Sequence, residues 1–168
     1  MKTRSLIVGV IVAALGTGAA FIWSGLYDVS AIKQHLPPTY WLLEKTLQRS
    51  VMRSAARIAV PELGAPAQVS RGLALYRANC EQCHGAPGVA PQAFALGLTP
   101  LPTPLVQTGR ERPPSYVFWV TKFGIRMSGM PAWEFRMTDD EIWSVVALVQ
   151  RLPQFSPEEY RATAAPPV

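Results

Sequence analysis

Cys80-Glu81-Gln82-Cys83-His84 is the run in this 168-residue chain whose residue types and spacing could do chemistry. Two thiols three positions apart fall on one helical turn and can add across the two vinyl groups of a haem. The histidine that follows is then placed to ligate the iron from one face, and Cys-x-x-Cys-His is the signature of that attachment. The chain has no other cysteine, so no intrachain disulfide competes for the pair. A redox dithiol would call for a βαβ context, and the sequence offers none. A zinc site needs two further ligands, and the only other histidine, His35, lies far upstream.

The opposite face of such an iron takes a second ligand or stays open. The candidates are Met127, Met130, Met137 and His35. Met130 stands in Ser128-Gly129-Met130-Pro131. Glycine lets the backbone approach the porphyrin, and proline fixes the turn that follows. A thioether held by such a loop can make a reproducible iron–sulfur bond. Methionine more often fills gaps in a core, which suits Met127 and Met137 better. His35, just ahead of Pro37-Pro38, reads as an exposed or capping histidine.

Helices must position these groups. Ser70 to Asn79 has a helical pattern, with Ser70 near the cap and Gly72, Leu75 and Tyr76 on one side. It delivers both cysteines to the porphyrin edge. A stretch dense in glycine and proline follows, from Gly85 to Pro104; it excludes a helix or a central strand and can wrap a haem edge. Ser115 to Met127 is helical by length and pattern. Thr138 is an N-cap with Glu141 at the N3 position, opening a last helix that Pro153 ends.

Together these segments resemble a class I monohaem cytochrome c of bacterial membranes, over residues 68–153. Arg71 to Tyr76 with Cys80 to Gly85 resembles the first helix and attachment turn of that family. Gly124-Ile125-Arg126-Met127-Ser128-Gly129-Met130-Pro131-Ala132-Trp133 resembles its methionine-ligand segment, and Asp139 to Trp143 the start of its last helix. The resemblance implies an all-α fold, the class I cytochrome c fold, in which the first and last helices cross with Gly72 and Tyr76 against Trp143. It implies one covalently attached haem c, with His84 as proximal ligand and Met130 as distal ligand. The other ring nitrogen of His84 would bond a backbone carbonyl, with Pro91 as the expected donor of that carbonyl. Arg126 and Trp133 lie where they could meet the haem propionates. One departure is Phe123, where relatives often carry histidine.

The remaining segments divide the chain into residues 1–26, 27–67, 68–157 and a frayed tail, 158–168. Met1-Lys2-Thr3-Arg4 is a short positive head, and Leu6 to Leu26 is apolar and unbroken by charge. Roughly 20 residues at a helical rise span the hydrocarbon core, and Phe21, Trp23 and Tyr27 suit the far interface. An uncleaved transmembrane anchor is favoured over a signal peptide cut after Gly18-Ala19-Ala20. Lys2 and Arg4 keep the N-terminus in the cytoplasm, which puts the haem domain on the periplasmic side.

Thr39 to Val60 reads as a connecting amphipathic helix, capped by Thr39 and stopped by Pro61. Leu43, Leu47, Val51, Ala55 and Ile58 make an apolar stripe; Lys45, Arg49, Arg53 and Arg57 make a basic one. The basic stripe fits anionic lipid or an acidic partner. It equally fits a solvated face on a helix whose apolar side covers the haem domain.

Charge is uneven. Residues 1–67 carry seven Lys/Arg against three Asp/Glu, and residues 68–168 nine against eight. The basic pI of the whole chain therefore does not describe the haem domain, and no basic-aromatic patch points to nucleic acid. With His84 and Met130 on both faces the iron has no vacant site, and the expected activity is one-electron transfer without catalysis at iron. The expected partners are the membrane and redox proteins such as a dehydrogenase, a quinol-oxidising complex or a terminal oxidase, with the chain free or a complex subunit. The alternative is a gas- or peroxide-binding sensor or enzyme with a labile methionine.

Overall fold

The computed structural model describes residues 2–163. Met1 and residues 164–168 of the expected tail lie outside them. All regular structure among the described residues is helical, with one isolated β-bridge between Ala86 and Val89. The chain forms two units, Met1–Lys33 and Gln34–Val168.

The first unit is helix α1, Lys2–Trp23, and a ten-residue segment of turns, 24–33, that exposes Leu26, Val29 and Ile32. The helix is long and apolar enough to cross a membrane, and none of its spanning window is buried. Phe21 and Tyr27 meet edge to face at 6.5 Å just past its end.

The second unit is built around α7, Asp139–Arg151. Every residue from Ile142 to Val149 is buried, and the one polar side chain among them, Ser144, donates to the Asp140 carbonyl. Helix α3, Pro66–Asn79, crosses it closely. Gly72 makes that crossing possible, since a Cβ there would stand 2.0 Å from the Ser144 carbonyl oxygen. The small residue thus meets the backbone of Ser144, one position beyond the expected Trp143. Trp143 instead stacks on Phe118 at 4.1 Å, which brings α6, Pro114–Phe123, onto α7. Helix α2, Pro37–Ala55, lies against α6 and buries Val51 and Ala55.

Several boundaries differ from expectation. Helices α2 and α3 start at Pro37 and Pro66, with Leu36 and Ala65 as caps, in place of Thr39 and Ser70. Proline at the first turn loses no hydrogen bond and pre-sets φ. Helix α6 stops at Phe123 because Gly124 takes φ +66°, so Met127 lies outside the helix. A short 3-10 helix, Ala93–Gly97, lies inside the loop expected to exclude helix; α5, Leu105–Glu111, forms in a stretch for which no element was expected, and α8, Pro157–Ala162, falls in the expected frayed tail. Tyr160 of α8 is only 1% exposed.

Candidate functional site

The two cysteines leave α3 on a single extra turn, α4, Glu81–His84. Cys80 is buried and Cys83 half-buried, and both are free. Burial, and then the neighbouring Cys83, push the Cys80 thiol up to about 12. Tyr76 of α3 donates to the Gly85 carbonyl and closes the turn from below.

His84 is held from its far nitrogen. Nδ1 lies 2.8 Å from the Thr103 carbonyl oxygen. A carbonyl only accepts, so Nδ1 carries the proton and the Nε2 lone pair is left for a metal. Burial holds the imidazole pKa below its usual value despite the raising effect of that hydrogen bond, so the ring is neutral, as a ligand must be. The carbonyl belongs to Thr103, which corrects the expectation of Pro91. The Ala86–Val89 bridge and the bond from Gln92 N–H to the Gln82 carbonyl fold residues 85–92 back on the attachment turn. Pro91 is thereby laid over Gly85. Thr103, an exposed residue between Pro102 and Pro104, presents its carbonyl to His84 from the next stretch of loop.

Met130 sits in a tightly bonded loop behind α6. Ile125 N–H donates to the Met130 carbonyl at 3.1 Å, and Met130 N–H donates to Ser128 Oγ at 3.1 Å. Trp133 N–H and Glu134 N–H return to the carbonyls of Thr121 and Lys122. Gly124 is required at the hinge, because at φ +66° a Cβ would stand within 2.8 Å of three backbone atoms of residues 130–132. Met130 is partly buried against the core. The loop supporting His84 reaches this one through Leu98, whose side chain lies 2.9 Å from where a Gly129 Cβ would be.

The other candidates separate clearly. Met137 is core, 8% exposed. Met127, expected as gap-filler too, is instead 93% exposed at φ +59°, since the loop turns it outward. His35 is exposed ahead of α2. Trp133 is buried beneath the loop with Arg136 over its ring, while Arg126 is exposed. Tyr160, which sequence reasoning did not single out, donates its hydroxyl to Glu81 between the two cysteines. Arg77 bonds the Tyr160 and Thr163 carbonyls and lies over the Tyr160 ring. The Ser156-x-x-Glu159 capping box was the readable signal for this helix.

No group of three or more His, Cys, Asp or Glu side chains able to hold a metal ion exists among the described residues, so the zinc reading lacks its ligands. The donor set fits haem: two free thiols on one turn, and a neutral imidazole with one nitrogen tied back. Phe94, Leu96 and Leu101, all more than half exposed on the surrounding loop, offer apolar surface suited to a porphyrin edge.

Residues 67–149 match the family model described as Cytochrome C oxidase, cbb3-type, subunit III. No match is found among the curated proteins. The matched stretch runs from the start of α3 to near the end of α7 and contains the attachment turn, the Thr103 loop and the Met130 loop. It is a c-type cytochrome domain, which implies haem c and haem-based electron transfer. With an all-helical fold and an N-terminal apolar helix consistent with an anchor, the chain is a class I monohaem c-type cytochrome.

Proposed function

We propose that this chain is a membrane-anchored carrier of single electrons, with one haem c joined to Cys80 and Cys83 and ligated by His84 and Met130. Bound haem supplies the Fe(III)/Fe(II) couple. The protein supplies everything else. The Thr103 carbonyl fixes the ring plane and tautomer of His84, which raises its basicity toward iron. The Gly124-hinged loop presents the Met130 thioether from a backbone held at both ends. A closed, rigid ligand set keeps reorganisation small, and a thioether raises the potential relative to a second histidine. Arg126, exposed, and Trp133, buried with Arg136 over its ring, are the side chains proposed to meet the propionates.

The hydrogen bond from His84 to Thr103 is the observation that carries this reading, because it commits the histidine to one free nitrogen on the attachment turn. Helix α1 anchors the carrier in the cytoplasmic membrane with the haem domain in the periplasm. Its partners are membrane redox proteins: a dehydrogenase or quinol-oxidising complex as donor and a terminal oxidase as acceptor. The matched family's description, an oxidase subunit, supports the last of these. The test is the pyridine haemochrome spectrum of the denatured protein. A thioether-type band retained after acid-acetone extraction is expected in the wild type and lost in Cys80→Ala/Cys83→Ala. Extractable haem in the wild type would refute covalent attachment.

A further inference from the structure

Helix α2 has two faces with different fates. Val51 and Ala55 are buried against α6, and Ile58, just beyond the helix, packs on the core. Glu44 and Gln48, on the same side as Val51, are half-buried and bonded to each other at 2.9 Å. At about 100° per residue, Lys45, Arg49 and Arg53 fall on the opposite side of the helix, about half a turn from Val51. Arg57 follows just past its end. All four are exposed, and the ion pairs among the described residues are formed by other cations.

The N-terminal end of the same helix is apolar all round. Tyr40, Trp41, Leu42 and Leu43 are 46%, 60%, 58% and 51% exposed, and Ile32 and Leu36 ahead of them are 91% and 60% exposed. Tyrosine and tryptophan on an exposed helix end favour the headgroup layer of a bilayer. Cations spaced along one side of a helix favour a flat anionic surface. Only residues 24–36 separate α1 from α2, a chain that reaches at most about 45 Å.

We propose that α2 is a foot on the membrane surface. Tyr40 to Leu43 enter the headgroup layer of a bilayer containing anionic phospholipid, and Lys45, Arg49, Arg53 and Arg57 lie against its phosphates. Val51, Ala55 and Ile58 of the apolar stripe are already taken by the haem domain, so the foot fixes how that domain stands on the lipid. The proposal rests on the anchor reading for its tether, and it names lipid in preference to an acidic protein. A fluid bilayer accepts an apolar helix end without a matching pocket.

The experiment places single spin labels on the full haem-loaded chain in lipid nanodiscs, at Leu42→Cys, at Glu158→Cys as a water-exposed reference and at Val12→Cys within α1. In discs containing phosphatidylglycerol the label at 42 should collide with oxygen and lose collisions with a water-soluble nickel chelate. It should regain them in pure phosphatidylcholine, in about 1 M salt, where the screening length falls to about 3 Å, and in Arg49→Gln/Arg53→Gln/Arg57→Gln. These arginines touch neither core nor site, so the variant folds. A label at 42 as open to nickel as that at 158 in every disc overturns the proposal and leaves α2 to a protein partner. A water-exposed label at 12, or a mature chain found cleaved, overturns the anchor reading alone. The cleaved chain is then sedimented with phosphatidylglycerol vesicles: binding lost in the triple variant supports the foot, and no binding refutes it.

Discussion

Thr103 is not a residue that composition or motif would single out, yet its carbonyl decides which nitrogen of His84 keeps a free lone pair. Pro91 was the expectation drawn from the resemblance, and the register of so short a loop could not be counted from sequence. A residue before a proline is biased toward extended backbone, which does not by itself say what its carbonyl will bond. The attachment turn itself was legible, because Cys80, Cys83 and His84 depend on spacing alone. Gly129 and Pro131 marked the segment around Met130 as a turn, and the structure has a loop there beyond α6, whereas the outward turn of Met127 depends on a positive φ that no pattern announced. Tyr160 tests the least expected contact at this scale. Burial, and then the Glu81 carboxylate, push its phenol above its usual range, so it stays protonated and donates. Tyr160→Phe should lower unfolding free energy by about 2 kcal/mol, read by urea denaturation. An unchanged midpoint would mean that α8 does not brace the attachment turn. At the crossing, Gly72→Ala drives a methyl into the Ser144 carbonyl. It should cost about 3 kcal/mol or more, and a wild-type midpoint would contradict the packing of α3 on α7.

At the scale of elements, long periodic segments were readable and short ones were not. Helix α7 carries a continuous apolar run and a cap, and the structure keeps both: Thr138 Oγ1 accepts from Glu141 N–H at 3.3 Å, and Glu141 accepts from Thr138 N–H at 2.8 Å. Thr138→Ala should cost about 1 kcal/mol, measured by thermal or urea unfolding. The Thr138 backbone N–H and then its hydroxyl hold the Glu141 carboxyl below the usual carboxylate range, with Arg71 adding to this. A depressed folded-state pKa stabilises above the unfolded value, about 4.3, and that stabilisation is lost as pH falls through the folded value. The stability difference between wild type and Glu141→Gln should therefore be full at neutral pH and shrink below about pH 4. A difference independent of pH would contradict the capping role. Helices α5 and α8 escaped the sequence because seven and six residues among prolines and glycines have too few turns to show a period. They are held by what they pack on. The starts of α2 and α3 moved to prolines for a reason readable in retrospect, since proline is favoured at a first turn.

For the whole molecule, the all-helical class is what the resemblance implied, and all regular structure among the described residues is helical. The match over residues 67–149 supports the cytochrome c reading. What sequence left undecided was the connecting helix, whose apolar and basic stripes fit two accounts. The structure uses Val51, Ala55 and Ile58 of the apolar stripe inside the domain and leaves Leu43 and the basic stripe outside, a division invisible to periodicity because the α2–α6 contact is long-range. The account stands or falls on whether the iron is closed by His84 and Met130. The most direct measurement is the optical spectrum of the ferric and ferrous protein, with and without carbon monoxide, in wild type and Met130→Ala. The account predicts a near-infrared sulfur-to-iron charge-transfer band in the ferric wild type, absent in the variant, and no carbon monoxide shift in the ferrous wild type. A high-spin wild-type spectrum that shifts with carbon monoxide would show an open iron and contradict the carrier.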